Sequence, residues 1–265
     1  MRKLSLLLLF IGLAFFINAQ EVDYVIKDPE KNKEHIIPNA PDNNKIPNPD
    51  YTAYFLNATA YTLDKKKMRL SGTDLFFIKA SYGLSDNLMA SFNISLFGTF
   101  TGSLKCQLNL TEQIKLGAAF SGGRLFYADV DISSVDSSSY FGGGQAMITL
   151  GDKQDNITVG TGFYQIKNTF DLFGNGIETL LINNIYIGFQ KQIGRKWYIM
   201  AEGNYFLNHR AFYIAAGVKV VVGDRISLNL GIMPMGYNDP TNNQTIFEPI
   251  PIPLISFRYL LGRNR

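Results

Sequence analysis

Few residues of this chain could carry out acid–base or nucleophilic chemistry. There are only two histidines, His35 and His209, and a hydrolase needs a base of that kind beside its nucleophile. His209 lies in the stretch Asn208-His209-Arg210, and the serines at 137–139 and the nearby loop acids are the groups that could approach it. No spacing ties these groups together, so a solvated loop histidine is the simpler interpretation. We predict no catalytic residues and no enzymatic activity, and keep a hydrolase that uses His209 as the alternative.

Metal and cofactor motifs are incomplete as well. Asp129, Asp131 and Asp136 have some likeness to a calcium loop but lack its glycine and closing glutamate. The glycines at 142–144 lie within a predicted strand with no helix after them, so they do not form a phosphate-binding loop. Cys106 is the only cysteine and lies on an apolar strand face, where an inert thiol is expected. The sequence therefore predicts no cofactor and no metal.

The elements that position these residues are strands with a period of two. Between residues 88 and 96, Leu88, Ala90, Phe92 and Ile94 alternate with serine and asparagine, and successive side chains of a strand point to opposite faces. The same alternation returns over 103–110 and 114–120. The links are too short for a crossover helix, so these three strands must run antiparallel.

Twelve such strands are predicted along the chain. Their links alternate between short turns, near residues 86, 112, 153, 194 and 224, and links that are mostly long and polar, near 132, 172 and 243. This asymmetry is typical of outer-membrane barrels, whose short turns face the periplasm. An even count places both ends of the barrel on that side. The predicted strands are 51–63, 68–84, 88–96, 103–110, 114–127, 140–150, 157–166, 179–191, 197–207, 212–222, 226–235 and 252–261, with a count as low as ten left open.

The N-terminal part differs in composition from the strands. Arg2 and Lys3 precede an apolar run from 4 to 17, and Ala19 stands at the expected cleavage point, so residues 1–19 are predicted to be a cleaved secretory signal. Residues 20–50 are polar and contain five prolines, which predicts an irregular periplasmic segment. The barrel domain is then 51–265.

Strand length favours a membrane barrel over a soluble secreted β-sandwich that binds a ligand, which is kept as a second alternative. Most predicted strands have the roughly 9 to 11 residues that a bilayer requires, whereas soluble strands have about five or six. No amphipathic helix is left over to cover an apolar sheet face, and a sheet that spans lipid must close on itself. We therefore predict an all-β, closed, antiparallel up-and-down barrel.

If the apolar face meets lipid, the other face lines a lumen that is predominantly positive. A cationic lumen favours anionic solutes because it raises their local concentration. The same groups could equally pair within a filled interior, so the sequence leaves open whether the lumen is open or plugged. The lumen-lining candidates are Lys79, Lys105, Lys115, Glu202, Lys219 and Arg258.

The signal at 1–19 and the repeated hairpins from 51 to 261 resemble those of the small outer-membrane β-barrel proteins of Gram-negative bacteria. The stretch Leu63-Asp64-Lys65-Lys66-Lys67, the long strand after it and Tyr82-Gly83-Leu84-Ser85-Asp86-Asn87-Leu88 are similar to a family of uncharacterised barrels with the pattern strand, Gly-hydrophobic-x-Asp-Asn, strand. The resemblance implies an architecture, outer-membrane localisation, contact with outer-membrane lipid and handling by the barrel-assembly machinery. One departure is the C-terminus, where Phe257 and Tyr259 are followed by six residues that include no aromatic, so the assembly signal is atypical or internal.

The resulting expectation is a non-enzymatic outer-membrane protein. It is either a passive pore for small solutes, anionic ones among them, or a structural and surface-exposed membrane protein. Nucleic acid is not an expected partner, because the only dense basic run, Lys65-Lys66-Lys67, fits a solvated turn.

Overall fold

The computed structural model describes residue 46 and residues 48–74, 77–95, 99–126, 138–167, 179–239, 244–247 and 251–261. All of them belong to the compact unit Asn44–Arg265. The predicted signal at 1–19 and most of the predicted irregular segment 20–50 lie outside the described residues. No helix long and apolar enough to cross a membrane occurs within the described ranges.

Fourteen strands occur in these ranges, and all pair antiparallel. They are β1 (Met68–Thr73), β2 (Phe77–Ser85), β3 (Leu88–Ser95), β4 (Thr99–Asn109), β5 (Ile114–Phe126), β6 (Ser138–Gly151), β7 (Asn156–Lys167), β8 (Thr179–Gln192), β9 (Trp197–Phe206), β10 (Ala211–Val222), β11 (Ile226–Met233), β12 (Met235–Asp239), β13 (Gln244–Phe247) and β14 (Ile252–Leu261).

Twelve of the strands close into a barrel. β1 to β11 pair in sequence, β11 pairs with β14, and β14 returns to β1, with Met68 opposite Leu261. β12 extends β11 beyond Pro234 and pairs with the first residues of β10 and with β13. Closure leaves no free edge in the barrel wall, which a sheet in lipid requires. The predicted closed, all-β up-and-down barrel of twelve strands is confirmed.

The wall is apolar outside and polar inside, the reverse of a soluble protein. Large outward side chains such as Phe120, Ile78 and Leu108 are 67%, 59% and 59% exposed, while Lys219 on the inner face is 0% exposed. A sandwich would bury its apolar residues between two sheets, whereas here they stand on the outside of a single closed sheet. The soluble-sandwich alternative is therefore wrong.

Two predicted strands differ from the structure. The prediction of one strand over 68–84 is wrong, because the chain turns at Asp74, whose φ is 52°, and forms β1 and β2. Residues facing each other in the ladder share a face, and Leu70 opposes Ala80 while Gly72 opposes Ile78. Even-numbered residues therefore point outward both before and after the turn. Because the alternation continues unchanged, the sequence pattern does not reveal the turn.

The prediction of a strand over 51–63 is also wrong. This segment contains one isolated bridge, between Ala53 and Ala58, and joins no sheet. Neither of its alternating faces is apolar throughout, since Thr52 and Thr62 fall on one and Asn57 and Thr59 on the other. A barrel strand needs one face compatible with lipid. The two errors cancel in the count of twelve, and the wall begins at Met68 and not at residue 51.

Candidate functional site: the barrel lumen

The lumen is occupied by the chain itself. Residues 48–63, here called the finger, enter from the end of the barrel that carries the short turns and fold back on themselves. The Thr59 amide donates to the Thr52 carbonyl at 3.1 Å, and the Tyr54 amide donates to the Asn57 carbonyl at 2.9 Å. The finger is thus a short hairpin with its tip at residues 54–57, and it contains no segment long enough to be a wall strand.

Both ends of the finger are attached at the short-turn end. The Tyr198 hydroxyl donates to the Ile46 carbonyl at 3.2 Å, and the Asn48 side chain donates to the Lys153 carbonyl at 3.0 Å. At the other end, Asp64 forms ion pairs of 2.8 Å with Lys67 and Lys153. Burial opposes ionisation of Asp64, but the hydrogen bonds and charges of these two lysines outweigh it and hold the pKa of Asp64 below its ordinary value.

Asp50 anchors the finger through three cationic side chains of the wall. Its carboxylate lies 2.8 Å from Arg69 Nη1 and 3.4 Å from Lys219 Nζ, and it also pairs with Arg258. Lys219 Nζ donates in addition to the Asp50 carbonyl at 2.7 Å and to Gln190 at 2.6 Å. Asp50 is 0% exposed and the three cations at most 5%. One buried carboxylate therefore joins β1, β10 and β14 to the finger.

The tip of the finger is held by Glu202 of β9. One carboxylate oxygen accepts the Leu56 amide and the other the Asn57 amide, each at 3.1 Å. The Tyr213 hydroxyl also donates to the Glu202 carboxylate, at 3.4 Å. Buried backbone amides need a partner, and in the absence of a ladder this carboxylate supplies it.

Backbone carbonyls of the finger are satisfied by wall cations. The Lys105 ammonium donates to the carbonyls of Thr52 and Thr59, at 3.1 and 3.0 Å. The Arg258 guanidinium donates to the carbonyls of residues 53–55. Charged wall residues thus replace the hydrogen bonds that a strand would obtain from its neighbours.

The wall has space for the finger where it carries glycine. A Cβ added to Gly188 would lie 2.2 Å from the ring of Tyr54, and one added to Gly117 would lie 2.9 Å from the Cα of Ala60. The Tyr54 ring is 0% exposed, and its hydroxyl lies 2.7 Å from Asn156 Oδ1. The inner surface of the wall is therefore complementary in shape to the finger.

Much of the lumen at the level of the finger is filled. If a passage wide enough for water ran between the finger and the wall, the inner-face residues beside it would be exposed to water. Instead, Thr149, Thr158, Lys219, Ser227 and Asn229 are 0% exposed.

A cavity of about 330 Å³ lies in the lumen at the finger, with finger residues 52, 53 and 56–58 in its lining. Arg69, Lys79 and Lys105 line it together with polar residues that include Ser103 and Ser121, and the described lining contains no carboxylate. It is therefore a polar space with positive charge.

The six lumen-lining candidates fall into three groups. Lys105, Glu202, Lys219 and Arg258 contact the finger, and Lys79 faces the cavity, which Lys105 also lines. Lys115 lies apart near a short turn, where its ammonium donates to the Thr111 carbonyl at 2.9 Å in an exposed hydrogen bond.

Two site residues were missed. Arg69 and Lys79 are both odd-numbered residues of the predicted strand 68–84 and therefore fall on the same face. The alternation that selected the lysines could have found Arg69 as well. Asp50 had no such signal, because it lies at the boundary of the segment predicted to be irregular.

The residues considered for chemistry are dispersed. His209 lies in the exposed link between β9 and β10, with its amide donating to the Phe206 carbonyl at 3.2 Å. Ser137, Asp129, Asp131, Asp136 and His35 lie outside the described residues. Cys106 is exposed on the outward face of β4. In the part of the chain that the structure describes, no group of three or more His, Cys, Asp or Glu could hold a metal ion.

No protein-family model and no curated protein matches the chain. Among solved structures, it is similar to OmpT, an outer membrane protein of Vibrio cholerae, at 10% identity over 70% of this chain and 64% of OmpT, with a TM-score of 0.39. It is also similar to the translocator domain of autotransporter NalP from Neisseria meningitidis, at 11% identity over 73% of this chain and 85% of that domain, with a TM-score of 0.37. A third neighbour is the CymD monoaromatic hydrocarbon channel, at 8% identity over 85% of this chain and all of CymD, with a TM-score of 0.40.

The chain spans less than two thirds of the length of OmpT. Identities and TM-scores this low decide nothing about function, so the fold assignment rests on the strand pairing. The chain has the closed, outward-apolar fold of an outer-membrane β-barrel, with a lumen that its own finger occupies.

Proposed function

We propose that this protein is a non-enzymatic outer-membrane channel for small anionic solutes, closed by its finger in the conformation described above. The observation that carries the proposal is the combination of a filled lumen with an excess of positive charge around the filling segment. In this proposal the short-turn end faces the periplasm, the outward apolar face contacts outer-membrane lipid, and the barrel-assembly machinery inserts the chain.

The nature of the finger's contacts supports a removable closure. Its main charged anchors, Asp50 and Glu202, and the cations that hold its carbonyls are groups that water solvates well. Because water can replace their hydrogen bonds, withdrawal of the finger would leave both the finger and the wall hydrated. Apolar contacts are part of the attachment as well, because Phe55, Ala60 and Leu63 each belong to a buried apolar cluster with wall residues. Withdrawal therefore also requires these three side chains to leave their clusters.

Planar-bilayer conductance tests this function. The double variant Asp50→Asn/Glu202→Gln loosens the base and the tip of the finger, and the matched variant Asp224→Asn/Glu112→Gln makes the same chemical changes at exposed positions away from the finger. We expect low conductance from wild type and the matched variant, and a clearly larger conductance from the first variant. Its reversal potential in a KCl gradient should show selectivity for chloride.

Two results would contradict the proposal. A loosened finger, shown by hydrogen exchange, without any gain in conductance would favour the structural, surface-exposed membrane protein. Selectivity for potassium would refute the anionic part. Fractionation and heat-modifiable gel migration test the outer-membrane location separately.

A further inference from the structure

The described part of the lumen carries more positive than negative charge. Four cations are buried there, Arg69, Lys105, Lys219 and Arg258, and the half-buried Lys79 is a fifth. The buried carboxylates are Asp50 and Glu202. Five cations against two carboxylates leave an excess of three. Buried charge without a counter-charge is unfavourable, so the lumen should attract an anion.

The unpartnered donors face the cavity described above. Lys79 has no hydrogen bond or ion pair to any described residue through its ammonium group. Arg69 is 3% exposed and lines the same cavity, yet its Nε has no partner within the described residues. By contrast, Lys219 and Arg258 use their donors on the finger and do not line the cavity. Lys79 and the Nε of Arg69 are therefore the available donors, and Lys105, which also holds the Thr52 and Thr59 carbonyls, adds positive charge to the same lining.

The wall beside these cations carries a row of hydroxyl groups. Paired residues on neighbouring strands share a face. From β1 to β5 the successive partners on this face are Arg69, Ser81, Ser91, Ser103 and Ser121. Ser103 and Ser121 line the cavity. Serine hydroxyls can donate to an oxyanion and accept from a protonated one.

Two acceptors complete the set. Asn93, which pairs with Lys79 across β2 and β3, and Asn184 on β8 both line the cavity, and neither side-chain oxygen has a partner within the described residues. A fully deprotonated anion such as sulfate offers nothing to these oxygens. A phosphate group that keeps a proton near neutral pH offers both acceptor oxygens and one donor.

We propose that the cavity is a binding site for a small solute that carries a phosphate group, held by Lys79, Arg69 and Lys105 and oriented by Asn93, Ser103 and Ser121. The proposal deepens the channel function above and rests on it for the passage of the solute. Binding itself requires only the cavity in the closed barrel.

Calorimetry with inorganic phosphate tests the site in the detergent-purified full chain. Wild type should bind phosphate and should bind sulfate more weakly. Lys79→Gln should weaken phosphate binding by about tenfold to a hundredfold, the usual value for one hydrogen bond to a charged group. Lys115→Gln removes the same charge at the short-turn end and should leave binding unchanged. Lys79→Arg keeps the charge and should retain binding, and heat-modifiable migration checks that each variant is folded.

Several results would overturn the site. These are no phosphate binding to wild type, equal binding of sulfate, equal losses in Lys79→Gln and Lys115→Gln, or loss of binding in a folded Lys79→Arg. These results can be distinguished from failure of the channel function. Phosphate binding without conductance would retain the binding site and reject transport. Anion conductance without phosphate binding would retain the channel and reject the binding site.

Discussion

The substitution Asp50→Asn tests whether one buried carboxylate holds the finger in the lumen. Asp50 is 0% exposed and pairs with Arg69, Lys219 and Arg258, which are 3%, 0% and 5% exposed. Asparagine has nearly the same shape but no charge, so three buried cations would lose their shared counter-charge. Removing one partner from a buried ion pair costs about 3–5 kcal/mol. The asparagine oxygen can still accept one hydrogen bond, so we expect a loss near 3 kcal/mol.

This loss translates into a large change in how often the finger leaves the wall. With about 1.4 kcal/mol for each factor of ten, the open population should increase roughly a hundredfold. Hydrogen exchange read by mass spectrometry measures it, because the amides of Tyr54, Leu56 and Thr59 are hydrogen bonded only while the finger is folded in place. Peptides that cover residues 48–63 should exchange about a hundred times faster, while the strands remain protected.

Asp64→Asn is the matched control. Asp64 makes two ion pairs in the adjoining stretch, but it is 38% exposed, and exposed ion pairs contribute about 1 kcal/mol or less. Its finger peptides should exchange less than tenfold faster. If Asp50→Asn and Asp64→Asn accelerate exchange by the same factor, the buried cluster does not anchor the finger and the reasoning is refuted.

The remaining predictions concern shape and lipid exposure. Gly188→Ala places a methyl group 2.2 Å from the buried ring of Tyr54, so we expect about 1–3 kcal/mol of destabilisation and faster exchange of the finger. Gly142→Ala, where an added Cβ meets nothing within 4 Å, should change neither, and equal effects would refute the fit. Phe120→Arg places a charge on the outward face in the middle of β5, where the phenylalanine is 67% exposed. In lipid vesicles it should lower the free energy of unfolding by about 2–4 kcal/mol, and an unchanged value in urea titration would contradict lipid contact.

The alternation of side chains could be predicted because it is a local property. Leu104 and Phe120 point outward while Lys105 and Ala119 point inward, as expected from a period of two. The same rule selected Lys79, Lys105, Glu202, Lys219 and Arg258 for the inner face, where the structure has them. It would also have selected Arg69 if it had been applied to every strand residue.

The turn at Asp74 shows where a local pattern fails. After this turn even-numbered residues still point outward, as they do before it. Two short strands joined in this way therefore have the same alternating pattern as one long strand. The residues Ser71, Gly72 and Asp74 are turn formers, and they were the available signal.

The sequence by itself therefore determined the antiparallel hairpins, their outward apolar face and their positive inner face, because each depends on neighbouring residues. Only the tertiary structure decided that β1 pairs with β14 and that residues 48–63 fill the lumen. Both depend on partners far away in the chain: Met68 meets Leu261, and Asp50 meets Arg258. The lack of an apolar face over residues 51–63 is a local argument against a wall strand, but only the charged wall around the segment determines that it lies in the lumen.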